Sequence, residues 1–181
     1  MQKDGLFRAA SLCIILVLVL STSALATVSS GSISLSSSQV GANAELTVSF
    51  RLGVKGSLME QAGDSITLVL DNRFTLPRAI NSNHVLINGL NAKDVSVDRG
   101  AGQIKMAVPE DLAGGDIVTV ILRAPAGLHN PETTGTYDIG VFTSQESDAL
   151  WLPCDIVGQP LSDLRVSVAP NSVGTKGTYT I

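Results

Sequence analysis

The residue types that could carry chemistry are few and widely spaced in this chain. Cys154 could act as a nucleophile if His84 or His129, the two histidines, met it in space as a base. Cys154 lies instead in the apolar stretch 150–154, which favours a buried and inert thiol. No Gly-x-Ser-x-Gly elbow, phosphate-binding loop, His-Glu-x-x-His or Cys-x-x-Cys motif is present. We therefore expect no catalytic residue and no enzymatic activity.

Two aspartates that precede apolar strands, Asp64 and Asp116, are the candidates for a calcium site. Calcium prefers several carboxylate and carbonyl oxygens, but each aspartate follows glycine and has no closely spaced acidic partner. An Asx turn that opens the strand is the alternative role for both. The other acidic residues are scattered and form no assignable acid–base pair without a fold: Asp71, Asp94, Asp98, Glu110 and Asp111. We expect neither a metal site nor a cofactor.

Composition excludes several classes of partner. The 181 residues carry a formal net charge of -4, so no basic face suits nucleic acid or an anionic membrane. Aromatic residues make up only 4%, too few for a series of stacking platforms. Trp151 is the one candidate for stacking on a sugar, but its neighbours Leu150 and Leu152 predict a position in the core.

The first 26 residues have the pattern of a secretory signal peptide. Lys3 and Arg8 precede the apolar run 12–20, and the small residues Ala24 and Ala26 follow it. The run is about half of the roughly 20 residues that span a bilayer, so we favour cleavage after Ala26 over an uncleaved anchor. The mature protein is then secreted, exposed at the cell surface and free of the membrane.

The elements that must position these residues are short strands. Apolar and polar residues alternate with a period of two, which is typical of an antiparallel sheet with one wet face. The alternating runs are 33–35, 44–50, 65–70, 95–97, 103–108, 117–122, 136–142 and 164–168. Turn residues separate them, and 98–102 has the pattern of a hairpin loop. With no helical period, the pattern predicts an all-β, antiparallel Ig-like or Greek-key β-sandwich of about 7–9 strands.

The alternation also predicts which side chains form the core. Strand 117–122 is apolar on both faces and should therefore be central in its sheet. The inward-facing positions that we expect to be buried are Leu46, Val48, Phe50, Ile66, Leu68, Leu70, Val118, Val120, Leu122, Tyr137, Ile139 and Val141.

Two internal similarities are visible. Segments 58–68 and 112–120 both place an apolar residue before a Gly-Asp turn into a strand, so we expect each apolar residue to plug one end of the sandwich. Segment 33–48 matches 166–181 without a gap. The second match indicates the start of another copy of the module, and chance similarity between two strand–turn–strand segments is the alternative.

Segments 166–181, 62–66, 130–137 and 142–144 resemble the tandem Ig-like β-sandwich repeats of bacterial and archaeal secreted surface proteins. Such repeats occur in S-layer-like proteins and in proteins with a copper-amine-oxidase-like N-terminal domain. The resemblance concerns turn signatures and transfers no catalytic residue or copper site. Together with the signal-peptide pattern and the internal match, the resemblance gives the predicted organisation of the chain: a signal peptide at 1–26, a Ser-rich linker at 27–32, a β-sandwich module at 33–160, and a second, truncated repeat that starts at 164–181.

The sequence thus favours a secreted, non-enzymatic structural or adhesive module of a cell-surface protein. Its partners would be neighbouring repeat modules or other components of the cell envelope. The alternative is a carbohydrate-binding module of a secreted hydrolase, which would need an exposed aromatic strip. The candidates for that strip are Phe50, Phe74, Tyr137, Phe142, Trp151 and Tyr179.

Overall fold

A computed structural model of the chain describes residues 27–160. The predicted signal peptide and the predicted second repeat lie outside these residues. The described part contains ten strands and short 3-10 helices at 60–62, 82–84 and 124–126. The strands are β1 Ser29–Leu35, β2 Leu46–Arg51, β3 Ser65–Val69, β4 Val85–Ile87, β5 Leu90–Asn91, β6 Val95–Asp98, β7 Gln103–Ala107, β8 Ile117–Leu122, β9 Gly135–Thr143 and β10 Leu150–Ile156.

The strands form two antiparallel sheets of five, with orders β1-β2-β8-β4-β5 and β10-β9-β3-β7-β6. The predicted β-sandwich is confirmed. The orders β1-β2-β8-β4 and β10-β9-β3 correspond to the A-B-E-D and G-F-C orders of immunoglobulin-type sandwiches. The strand count exceeds the predicted 7–9 because β4, β5 and β10 were missed. β4 and β5 are too short to show a period. The run that forms β10 was treated only as an apolar stretch. It contains Pro153, which is tolerated because β10 lies at a sheet edge.

The core lies between the two sheets, and the predicted core list is confirmed. All twelve side chains are at most 3% exposed. β8 is the middle strand of its sheet, as its apolar sequence predicts, because β2 pairs with one of its edges and β4 with the other. The hairpin between β6 and β7 also has the predicted position, and the Asp98 carboxylate accepts the N–H groups of Gly100 and Ala101 in its turn.

The two similar turns close the same end of the sandwich together. The buried side chains Leu58 and Leu112 lie on segments that form an antiparallel bridge. Each donates its N–H to the carbonyl of the other, at 2.9 and 2.8 Å. Gly63 and Gly115 have φ values of 72° and 88°, which glycine adopts without steric strain. Leu58 and Leu112 therefore close the end of the sandwich, as predicted, and their two segments are held together by backbone pairing.

The described chain starts at one end of the sandwich and finishes at the other. Thr27 lies against Gly53, beside the pair of β1 and β2 that begins at Ser29. Val157, which follows β10, pairs with Gln39 at the opposite end. Because β1 starts at Ser29, residues 29–32 of the predicted linker belong to the sandwich.

Candidate functional site

Cys154 is an inward-facing residue of β10, opposite Tyr137 on β9. Its side chain is buried, and burial, with a smaller contribution from Asp155, raises the pKa of the thiol to about 11. His129 belongs to bridges with Asn43 and Thr75. His84 ends the 3-10 helix before β4, in the other sheet. The thiol is therefore a packing group, as the apolar stretch around it predicts.

Asp64 has a different structural role from the Asx turn predicted for it. The residue is 6% exposed, and its carboxylate accepts the N–H of Met59 at 2.9 Å. The Ser144 hydroxyl and the Gln145 amide donate to the other oxygen, each at 2.7 Å. Burial alone would raise the pKa of Asp64, but these hydrogen bonds together lower it below its ordinary value. Asp64 thus ties the segment before β3 to the turn after β9.

Asp116 lies in a turn before β8, but, like Asp64, it does not form the predicted Asx turn, because its carboxylate accepts from a residue that precedes it. Its carboxylate accepts the N–H of Ala113 at 3.1 Å, and its own N–H donates to the Ala113 carbonyl at 3.2 Å.

Between residues 27 and 160, no group of three or more His, Cys, Asp or Glu side chains is arranged to hold a metal ion. In the same range, no helix is long and apolar enough to cross a membrane.

Trp151 was predicted to lie in the core, and this prediction is wrong. Its residue is 54% exposed, on the outer face of the second sheet. The sequence itself contained the correct placement, because successive side chains of a strand point to opposite faces. Leu150, Leu152, Cys154 and Ile156 alternate along β10 and lie on its inner side, so Trp151 lies on its outer side. The leucines that flank it therefore place it outward.

The indole of Trp151 lies across Gly140, its direct partner on β9. A Cβ on Gly140 would meet Cζ3 at 3.0 Å and Cε3 and Cη2 at 3.1 Å. Three ring atoms at nearly equal distances from one point show that the six-membered ring covers the glycine. The absence of a side chain at this position lets the indole lie flat on the sheet, with its other face toward solvent.

A shallow depression of about 430 Å³ adjoins this indole. Asp71 and Arg73 line it together with Thr136 and Asp138, two exposed residues of β9. The Arg73 guanidinium donates to both Asp71 oxygens, at 2.7 and 2.8 Å, and these hydrogen bonds lower the pKa of Asp71 to about 2. An aromatic face therefore lies beside a set of hydrogen-bonding groups.

Tyr137 supports the depression from below. This residue is 2% exposed, and the Arg73 guanidinium carbon stands 4.3 Å from the centroid of its ring. Phe74 packs edge-on against the same ring, with centroids 5.8 Å apart, and the Tyr137 hydroxyl donates to the Thr133 carbonyl at 2.8 Å. These contacts hold Arg73 in position above the ring.

A second notable arrangement lies at the Val157 end. Val40 donates its N–H to the Val157 carbonyl at 3.0 Å, and Val157 donates to the Ser38 carbonyl at 2.8 Å, so the two segments run parallel. The Asn130 amide holds the first segment by donating to the carbonyls of Ser37 and Gln39, both at 2.8 Å. The segment after β1 is thereby joined to the segment after β10.

The chain matches no protein-family model and no curated protein. Among solved structures it is similar to the crystal structure of BslA, a bacterial hydrophobin. The sequences are 12% identical, the TM-score is 0.47, and the similarity covers 76% of this chain and 98% of that chain. A similarity of this degree carries no functional argument.

Proposed function

We propose that this protein is a secreted, non-enzymatic structural or adhesive module of a cell-surface protein. The observation that carries the proposal is the placement of Thr27 and Val157 at opposite ends of the sandwich. Modules with this arrangement can be joined in series, each adding its long dimension to the assembly. A neighbouring repeat that starts at 164–181 would follow the Val157 end.

The parallel pairing at the Val157 end suits a module that carries tension. A pull on the two ends moves β1 and β10 in opposite directions along their length. The two hydrogen bonds between residues 38–40 and Val157 then resist the pull together, because parallel segments must slide past one another before either bond is relieved. Separation of an antiparallel hairpin, by contrast, breaks its bonds one after another.

Single-molecule force spectroscopy on the exported chain, held by its two ends, tests this role. Val157→Pro removes the N–H that donates to Ser38 and should lower the unfolding force. Val157→Ala keeps that N–H and is the matched control, which should unfold near the wild-type force. Equal unfolding forces for the proline and alanine variants would contradict the proposal that this pairing resists the pull.

Location tests the other part of the proposal. We expect an antibody against the sandwich to label intact cells of the source organism, and the protein to be recovered from the envelope or the medium. The chain recovered there should lack residues 1–26. Recovery from the cytoplasm alone, with residues 1–26 still attached, would contradict a surface role.

A carbohydrate-binding module is the second candidate, and the exposed indole of Trp151 favours it. An indole that lies flat on a sheet offers its free face to the apolar face of a sugar ring. Asp71, Arg73 and Asp138 beside it supply donors and acceptors for hydroxyl groups. In this function the protein would be the binding part of a secreted hydrolase.

Binding of the exported chain to a glycan array tests the second candidate with two variants. Trp151→Ala removes the ring, and Gly140→Ala keeps it but places a methyl group about 3 Å from the ring atoms, which forces the indole to move. Lys105→Ala, an exposed change on β7 of the same sheet, is the control. Glycan binding that both site variants lose and the control keeps would favour the carbohydrate-binding function. No binding by the wild-type chain would exclude it for the glycans on the array.

A further inference from the structure

Glu146 is a buried carboxylate with one hydrogen-bonding oxygen left over. It lies in the turn between β9 and β10 and is 1% exposed. Its Oε1 accepts the N–H of Gly53 at 2.9 Å. Its Oε2 is buried and has no hydrogen-bond partner among the described residues. A buried acceptor without a partner is destabilising, so this oxygen requires an explanation.

The surroundings of Glu146 are shaped to contain a carboxylate. A Cβ on Gly53 or on Gly56 would collide with it, and the one on Gly56 would stand 2.7 Å from Oε2. Burial raises the pKa of Glu146, and the hydrogen bond from Gly53 offsets only part of that effect. Glu146 forms no ion pair within residues 27–160. The chain therefore builds a space for an acidic group and leaves it without a cation.

The backbone nitrogen of Thr27 lies at the same place. It is 2.8 Å from the point where a Cβ on Gly53 would stand, and Glu146 Oε1 is closer still to that point. The Thr27 nitrogen and Glu146 Oε1 are therefore near neighbours. Thr27 is also the residue that follows the predicted cleavage position, Ala26.

We propose that Glu146 is the binding site for the α-ammonium group that export creates on Thr27. This inference rests on the predicted cleavage after Ala26. Hydrolysis adds water across the Ala26–Thr27 peptide bond, so that Ala26 leaves as a carboxylate and Thr27 keeps the nitrogen as an ammonium group. The neutral N–H of the peptide is thereby replaced by a cation with three donors, one of which reaches Oε2.

The pairing makes the stability of the sandwich depend on its processing. In the precursor, Thr27 offers only a neutral peptide N–H, and the buried carboxylate stays unpaired. In the processed chain, the ammonium pairs with Glu146 and joins Thr27 to the loop that contains Gly53. A charge-assisted hydrogen bond of this kind changes an unfolding equilibrium constant by about tenfold or more.

The test uses the full chain, exported by a bacterial host from its own leader, with mass spectrometry to identify the first residue. A second chain carries a Ser-Gly-Ser insertion between Ala26 and Thr27, which keeps the ammonium group but moves it away from Glu146. Urea unfolding is measured for the chain that begins at Thr27 and for the chain with the insertion, each with Glu146 present and with Glu146→Gln. Asp148→Asn, a change at an exposed carboxylate nearby in sequence, is the charge-matched control.

We expect the equilibrium constant for unfolding to be about tenfold smaller for the chain that begins at Thr27 than for the chain with the Ser-Gly-Ser insertion. This difference should disappear with Glu146→Gln and persist with Asp148→Asn. A mature chain that begins elsewhere, equal stability of the two N-termini, or a difference that survives Glu146→Gln would each overturn the proposal. If Glu146→Gln fails to fold, labelling of the α-amine decides. Pairing should slow the reaction several-fold relative to the inserted chain, and equal rates would overturn the proposal.

Discussion

Asp64 provides the sharpest test of how the Thr27 end of the sandwich is held closed. Substitution with alanine removes three hydrogen bonds at once, those from the Met59 N–H, the Ser144 hydroxyl and the Gln145 amide. These bonds connect the segment before β3 with the turn after β9, which are far apart in the sequence. Asp64→Ala therefore loosens a tie between distant segments, in addition to removing a local turn contact.

The expected loss is about 3 kcal/mol in the free energy of unfolding. A hydrogen bond to a charged group contributes roughly 1.5–3 kcal/mol, but the exposed partners Ser144 and Gln145 recover part of this by bonding to water. For a domain of this size the loss corresponds to a melting temperature lower by about 10 °C. In a double-mutant cycle with Ser144→Ala, the coupling energy should be about 1 kcal/mol.

Thermal and urea unfolding at several pH values measure these quantities. Because hydrogen bonding lowers the pKa of Asp64 in the folded chain, its contribution is present above the ordinary value of 3.8 and is lost as the pH falls through the folded value. The difference in the free energy of unfolding between wild type and Asp64→Ala should therefore become smaller in acid. Asp111→Ala removes an exposed carboxylate that accepts one N–H, from Glu60, and should lose less than about 1 kcal/mol. The reasoning would be refuted if Asp64→Ala lost no more free energy of unfolding than Asp111→Ala, or if its loss did not depend on pH.

Three further predictions concern the core, the depression and the thiol. Leu112→Ala should lower the free energy of unfolding by about 3 kcal/mol in urea titrations, because it removes a buried plug, and a loss below about 1 kcal/mol would contradict that role. Arg73→Gln should raise the pKa of Asp71 from about 2 toward 3.8 in an NMR titration, whereas an unchanged pKa would show that other groups set it. Cys154, with a pKa of about 11, should react with a disulfide reagent only as fast as the chain unfolds, so rapid labelling of the native protein would contradict its burial.

Alternation along the chain was sufficient to predict a β-sandwich and the listed core residues, although it missed β4, β5 and β10. A strand of four or more residues shows its inward face locally, as in β2, where Leu46, Val48 and Phe50 alternate with polar residues. The same local rule places Trp151 outside, once the run from Leu150 to Ile156 is treated as one strand. The prediction for Trp151 failed because its apolar neighbours, Leu150 and Leu152, were given more weight than the alternation along the strand.

The roles of Asp64 and Glu146 could not be obtained in this way. Asp64 is hydrogen-bonded to Ser144, and Glu146 to Gly53, pairs separated by 80 and 93 positions in the sequence. Which residues meet across such separations depends on strand order and register, and these are fixed only when the two sheets close over one core. The sequence by itself determined which side chains face inward, since that depends on neighbours two positions away. The tertiary structure alone decided which polar groups those strands bring together at the ends of the sandwich.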